Sequence, residues 1–245
     1  MTSLTPTVIT ALFAQRFAPI AAFRGAYGEI RDIAGPLTPT EILAYVADAL
    51  PARFSSWDSK KRGDSLSWAL YGWCPDEHVA VVQVRLASRR YANGFLTTRK
   101  DYVLCGYTED GNPFRHPVSG AAVRGAVRRG VDPAGVVRAA KMWMWGVTEK
   151  QLAVSVRQGD VLLVPHRGEP RGENLVERGT EARLAGTHVV RSERILSGGG
   201  RLYAYKPRVS HTKAQHADEW VSIGWATVRV AQESPAWDYS VRLGD

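Results

Sequence analysis

The sequence predicts an α+β protein with a helical N-terminal part and a β-rich C-terminal module of barrel or rolled-sheet type. Elements of one kind come in runs, helices then strands then helices then strands, without the strict alternation of a doubly wound parallel fold. The composition is that of an ordinary globular chain: 245 residues, 44% hydrophobic and 23% charged. That excludes disordered, collagen-like and coiled-coil proteins. The length allows one large domain or two small ones. A boundary near 150 divides a helical and mixed basic region, 1–150, from a β-rich module, 151–245, and a single domain remains the alternative.

The first helix is expected after Thr5-Pro6, with Val8, Leu12, Phe13 and Phe17 at helical spacing. Thr38-Pro39-Thr40-Glu41 has the form of a capping box with Pro at the first helical position. It opens a helix through Ile42, Leu43, Val46 and Leu50, which Pro51 ends. Between the two, Phe23 to Ile33 is ambiguous. A polar break over 53–65 precedes strands over Leu66–Trp73 and Val79–Leu86, joined at Pro75-Asp76, and a short strand over Tyr102–Tyr107. Turn chemistry at Glu109 to Pro113 ends that run.

Helices return over about 119–145, capped by Ser119 and then by Asp132-Pro133. Trp143 and Trp145 cannot share one helical face. Arg157 to Asp160 turns into the continuous apolar run Val161 to Pro165, which reads as a fully buried strand. Further strands are expected over Thr187–Leu196, Arg201–Lys206, Trp220–Val230 and Trp237–Leu243, with Ser197 to Gly200 as a hairpin turn.

Lys plus Arg number 32 against 24 Asp plus Glu, a formal charge of +8. Such a balance favours polyanionic partners. The cations cluster. His78 to Lys100 contains Arg85, Arg89, Arg90, Arg99 and Lys100 and no acid. Arg115 to Lys141 contains Arg115, Arg124, Arg128, Arg129, Arg138 and Lys141 against Asp132 alone. Cys74 and Cys105 form no metal or disulfide framework and fit buried roles in a reducing, cytoplasmic setting. The opening Met-Thr-Ser-Leu-Thr-Pro-Thr has no basic n-region, so no secretory signal is expected. No apolar run approaches the length of a membrane span, so no membrane partner is expected.

Three stretches, Gly111–Val118, Arg157-Gln-Gly-Asp-Val-Leu-Leu-Val-Pro165 and His211-Thr-Lys-Ala-Gln-His216, with Gly186-Thr187-His188 between the last two, resemble a group of bacterial, plasmid and phage proteins. That group carries an R-Q-G-D-V-x-L-V-P strand followed by a G-x-H and an H-x-K-x-x-H segment. The resemblance spans about 100–240. It implies a shared structural module and no particular reaction.

Four of the six histidines, His166, His188, His211 and His216, fall at expected strand ends or turns in the last third of the chain. Two chemistries follow. In the leading one the protein binds nucleic acid, RNA in preference to DNA, with metal-independent endoribonuclease or RNA-processing activity as a further expectation. His211, Lys213 and His216 are the reactive group, because His titrates near neutrality and Lys can stabilise a charged phosphorane. Arg85, Arg89, Arg90, Arg124, Arg128 and Arg129 contact phosphates. Arg201, Tyr203 and Tyr205 alternate onto one strand face as a base-stacking platform. No cofactor is expected in that reading. In the alternative, a cupin-like barrel brings His188, His211 and His216 onto a divalent transition metal for small-molecule chemistry or sensing. A third reading is a non-enzymatic adaptor docked on a protein assembly.

Overall fold

The computed structural model describes residues 23–24, 30–31, 37–50, 65–89, 96–107, 113–172, 174–212, 218–221 and 224–234. The protein is α+β. It divides into two compact units, Met1–Lys141 with Glu233–Gly244, and Met142–Gln232 with Asp245.

In the first unit, β1 (Phe23–Arg24) and β2 (Ile30–Arg31) form a two-residue antiparallel pair. The helix α1 (Pro39–Tyr45) starts as the sequence dictates. Thr38 Oγ1 accepts from the Glu41 amide, and the Glu41 carboxylate accepts from the Thr38 amide at 2.6 Å. Both exchanged bonds satisfy amides that the first turn would leave open. The expected continuation to Leu50 tightens instead into a 3-10 turn, Ala47–Ala49. The Tyr107 hydroxyl donates to the Tyr45 carbonyl at 2.9 Å, so that carbonyl is taken from outside and the α ladder stops there.

The body of this unit is an antiparallel meander: β3 (Ser65–Cys74), β4 (Val79–Arg89), β5 (Leu96–Tyr107) and β6 (Pro113–Val118) in sequential order. One face carries Leu70, Trp73, Ala80, Val82, Val84, Val103, Cys105 and Tyr107, which pack with Ile42, Tyr45 and Val46. Burial pushes the Cys105 thiol up to about 12, which leaves it an inert core group. Near the other face lie α2 (Gly120–Arg128) and the first turns of α3 (Pro133–Trp145). Ser119 caps α2 and Asp132 caps α3, its carboxylate accepting from the Gly135 amide at 2.6 Å. A register shift in β3 places Gly72 where any β-carbon would lie 2.9 Å from the Pro133 carbonyl.

A helical N-terminal part is therefore not what forms. Among the described residues, the first hundred hold one seven-residue helix and three long strands, and the longer helices lie mid-chain. The helix expected after Thr5-Pro6 and the strand expected over Trp237–Leu243 lie outside the described residues.

The second unit holds α4 (Glu149–Ala153) and one eight-stranded antiparallel sheet. Its strands are β7 (Val156–Gln158), β8 (Val161–His166), β9 (Val176–Leu184), β10 (His188–Gly198), β11 (Arg201–Tyr205), β12 (Arg208–His211), β13 (Glu219–Trp220) and β14 (Trp225–Val230). The order is β13-β12-β10-β11-β14-β8-β7, with β9 on β10. The end strands β13 and β7 lie in contact, so the sheet curls into a nearly closed barrel. Val161, Leu163, Val190, Ile195, Ala204, Val209, Ala226 and Val228 fill its interior.

β10 pairs with β11 and then β12 in one unbroken register, from Gly198↔Arg201 to His188↔His211. The two form one long hairpin interrupted only around Ser192 and Lys206. Its turn is Gly199-Gly200, with φ 57° and 70°. Both central residues of such a turn need positive φ, which glycine adopts without strain.

Candidate nucleic-acid interface

The cations that the sequence groups by position are sorted by the fold. Two of them serve the interior. Arg115 is buried, and its Nη1 donates to the Ala49 carbonyl at 3.1 Å. Burial holds its guanidinium below the usual arginine range. Lys141 is buried against Glu77 in an ion pair. These two stabilise the first unit and leave the exposed basic surface.

Others converge. Arg85 on β4 and Lys100 on β5 are direct cross-strand partners, both exposed. They share their sheet face with Gln83 and Tyr102, which pair one step inward along the same two strands. Gln83 Nε2 donates to the Tyr102 hydroxyl at 2.6 Å and to the Tyr71 hydroxyl at 3.1 Å. Arg124 on α2 lies over the Tyr102 ring, its Cζ 5.5 Å from the centroid, and its Nη1 donates to the Tyr102 hydroxyl at 3.4 Å. Burial, with Tyr102 alongside, pushes the Tyr71 hydroxyl up to about 12, so it stays protonated. Arg128 follows one turn along α2, exposed, and Arg129 caps the helix.

Three elements thus bring Arg85, Lys100 and Arg124 to one face around a buried tyrosine–glutamine network. Among the described residues no carboxylate pairs with Arg85, Lys100, Arg124, Arg128 or Arg129. The second unit differs. There Arg194 meets Glu169 and Glu177, Arg191 meets Glu181, Lys206 meets Glu193 and Arg208 meets Asp218. Like charges directly across two strands repel. Arg89 closes β4 in the backbone, and Arg90 lies outside the described residues.

Sequence reasoning singled out neither Tyr102 nor Gln83. Gln83 was legible: a lone amide inside Val-Val-Gln-Val, on a strand otherwise apolar, needs a buried partner.

In the second unit, His188 and His211 come together. They are register partners on β10 and β12, 1% and 6% exposed, with ring centroids 5.0 Å apart edge to face. Alternation from Val190 and Val209 turns both inward. Thr187 Oγ1 lies 3.3 Å from His188 Nδ1. Lys213 and His216 lie outside the described residues. Among the described residues no group of three or more His, Cys, Asp or Glu side chains is placed to hold a metal ion.

Arg201, Tyr203 and Tyr205 do share one side of β11. Arg201 is exposed, while both tyrosines are half-buried. The Tyr203 ring packs on His166 at 5.4 Å, and Tyr205 packs on Trp225 at 5.3 Å with Lys206 Nζ 5.1 Å from its centroid. Trp143 is half-buried and Trp145 is buried. No helix among the described residues is long and apolar enough to cross a membrane. No family model matches the chain, and no curated protein or solved structure does so either.

Proposed function

We propose that the protein binds single-stranded nucleic acid, RNA in preference to DNA, on the basic face of its first unit. The observation that carries this is the convergence of Arg85, Lys100 and Arg124 from three elements onto one face, with no carboxylate among the described residues paired to any of them. A B-form major groove admits a protruding helix or ribbon. Here the cations lie on a strand face and on the helix beside it, an arrangement suited to an extended single strand.

The test is fluorescence anisotropy with a labelled ribo-oligomer and its deoxy twin. With Arg85, Lys100, Arg124 and Arg128 engaged, the slope of log K against log salt is about −3. The double variant R85Q/K100Q lowers that slope by about 1.4 units. Salt-independent binding, or a double variant with the wild-type slope, overturns the reading.

The cleavage half of this reading falls to His211, with Lys213 and His216. A second reading is favoured by the His188–His211 pair itself: two inward imidazoles across one hairpin can supply part of a metal site. His211→Ala separates the two. If His211 acts on RNA, the variant loses cleavage and keeps RNA binding. If it holds metal, plasma mass spectrometry of the wild-type protein finds about one equivalent, which the variant lacks. A cleaving, metal-free wild type retires the metal reading; a wild type that does neither retires both roles.

A further inference from the structure

A cleft of about 760 Å³ opens in the second unit beside the Gly199-Gly200 turn. It lies within the range of small-molecule sites, about 300–1,000 Å³. Three arginines line it, Arg178 on β9, Arg201 on β11 and Arg229 on β14, and none of the lining residues among those described is acidic. Arg178 Nε donates to Ser197 Oγ at 2.7 Å, which anchors one guanidinium at the wall. Arg229 Nε is buried and, among the described residues, has no hydrogen-bond partner. A buried guanidinium N–H without an acceptor is a donor that an anion can satisfy.

The remaining walls are of two kinds. Leu202, Val228 and Trp145 offer apolar surface. Asn174, exposed at the rim with φ 69°, offers a carboxamide with a donor and an acceptor side by side. The turn is open: among the described residues, a β-carbon at Gly199 or Gly200 meets nothing within 4 Å. A ligand that satisfies all of this has multiple negative charges, a flat apolar body and a hydrogen-bonding edge.

We propose that this cleft binds a phosphorylated nucleoside, free or at the end of a strand, with Arg178, Arg201 and Arg229 on the phosphates. The site goes beyond the basic face of the first unit and shares no residue with it.

Isothermal titration with ADP as probe tests it. The wild-type protein binds ADP, and Arg229→Gln and Arg178→Gln each weaken binding about tenfold, while Arg208→Gln, outside the cleft, leaves it unchanged. A second readout guards against a misfolded variant. In wild-type protein labelled with ¹⁵N-glycine, ADP shifts the Gly199 and Gly200 amides. A 5′-phosphorylated ribotetramer and its 5′-hydroxyl twin, titrated alongside, tell a strand end from a free nucleotide; tighter binding of the phosphorylated strand than of ADP assigns the end. Absence of binding by ADP and by both strands overturns the proposal. So does ADP binding that Arg229→Gln and Arg178→Gln leave at the wild-type affinity.

Discussion

Trp73→Ala is expected to lose about 3–5 kcal/mol of stability, the range for deleting a fully buried indole. Trp73 is 1% exposed and stands at the centre of the first unit's core. Its ring meets Tyr45 edge to face at 5.6 Å, and Tyr45 in turn meets Tyr107 at 5.4 Å and His78 at 5.7 Å. Removing it leaves a cavity that Tyr45 cannot close without giving up its own contacts with Tyr107 and His78. Because a whole domain is stable by only about 5–15 kcal/mol, the loss consumes a large share.

Trp73→Phe is the informative companion. The indole Nε1 is buried with no hydrogen-bond partner among the described residues. An unsatisfied buried donor costs about 1–3 kcal/mol, so losing that N–H offsets part of the lost volume. Phe should therefore be far milder than Ala. Urea denaturation of the two variants checks both values. An Ala variant within about 1 kcal/mol of wild type would show that the core is not organised around this ring.

Gly106→Ala is expected to be at least as damaging as its small size is misleading. A β-carbon there would lie 2.3 Å from the His78 carbonyl oxygen and 3.0 Å from Val79 Cα. Both neighbours are backbone. Gly106 pairs with Val79 across β4 and β5, and His78 is held at φ 52° by a turn in which its amide bonds the Pro75 carbonyl at 3.2 Å. Neither strand can give without breaking the ladder, so the cost reaches or exceeds about 3 kcal/mol, the upper end of ordinary overpacking. Gly130→Ala is the control. Its φ is 70° but a β-carbon there meets nothing within 4 Å, so only the left-handed backbone is penalised, by about 1–2 kcal/mol. Thermal melts that rank Gly130→Ala below Gly106→Ala would refute the argument.

Where local chemistry decides the structure, the sequence is legible. Thr38 to Glu41 specify their cap by side-chain reach alone, as do Ser119 and Asp132. The apolar run Val161 to Val164 is buried throughout, as its continuity requires. β9 is the opposite case. Val176–Leu184 is almost wholly exposed and reads Val-Glu-Arg-Gly-Thr-Glu-Ala-Arg-Leu, with no apolar alternation to announce it. It exists because the open edge of β10 has unpaired amides and carbonyls to satisfy, and the pairing crosses a bulge near Gly179. That information lies in the partner strand.

The candidate site divides in the same way. Clustering in sequence drew attention to Arg85 and Arg124 together with Arg115 and Lys141. Only packing separates exposed cations from those spent on Ala49 and Glu77. The meeting of His188 with His211 could not be read from spacing, since it depends on register.

That register has one origin. The pairing runs without a slip from the Gly199-Gly200 turn to the two imidazoles, eleven residues away on either arm. Strand side chains alternate faces, so a shift of one residue turns an entire arm over. Deleting one glycine from the turn would carry His211 from the barrel's interior to its outer side, with no change anywhere near the histidine. The hairpin works as a ratchet whose pawl is two glycines. Any insertion or deletion tolerated along it must come in matched pairs, one residue per arm.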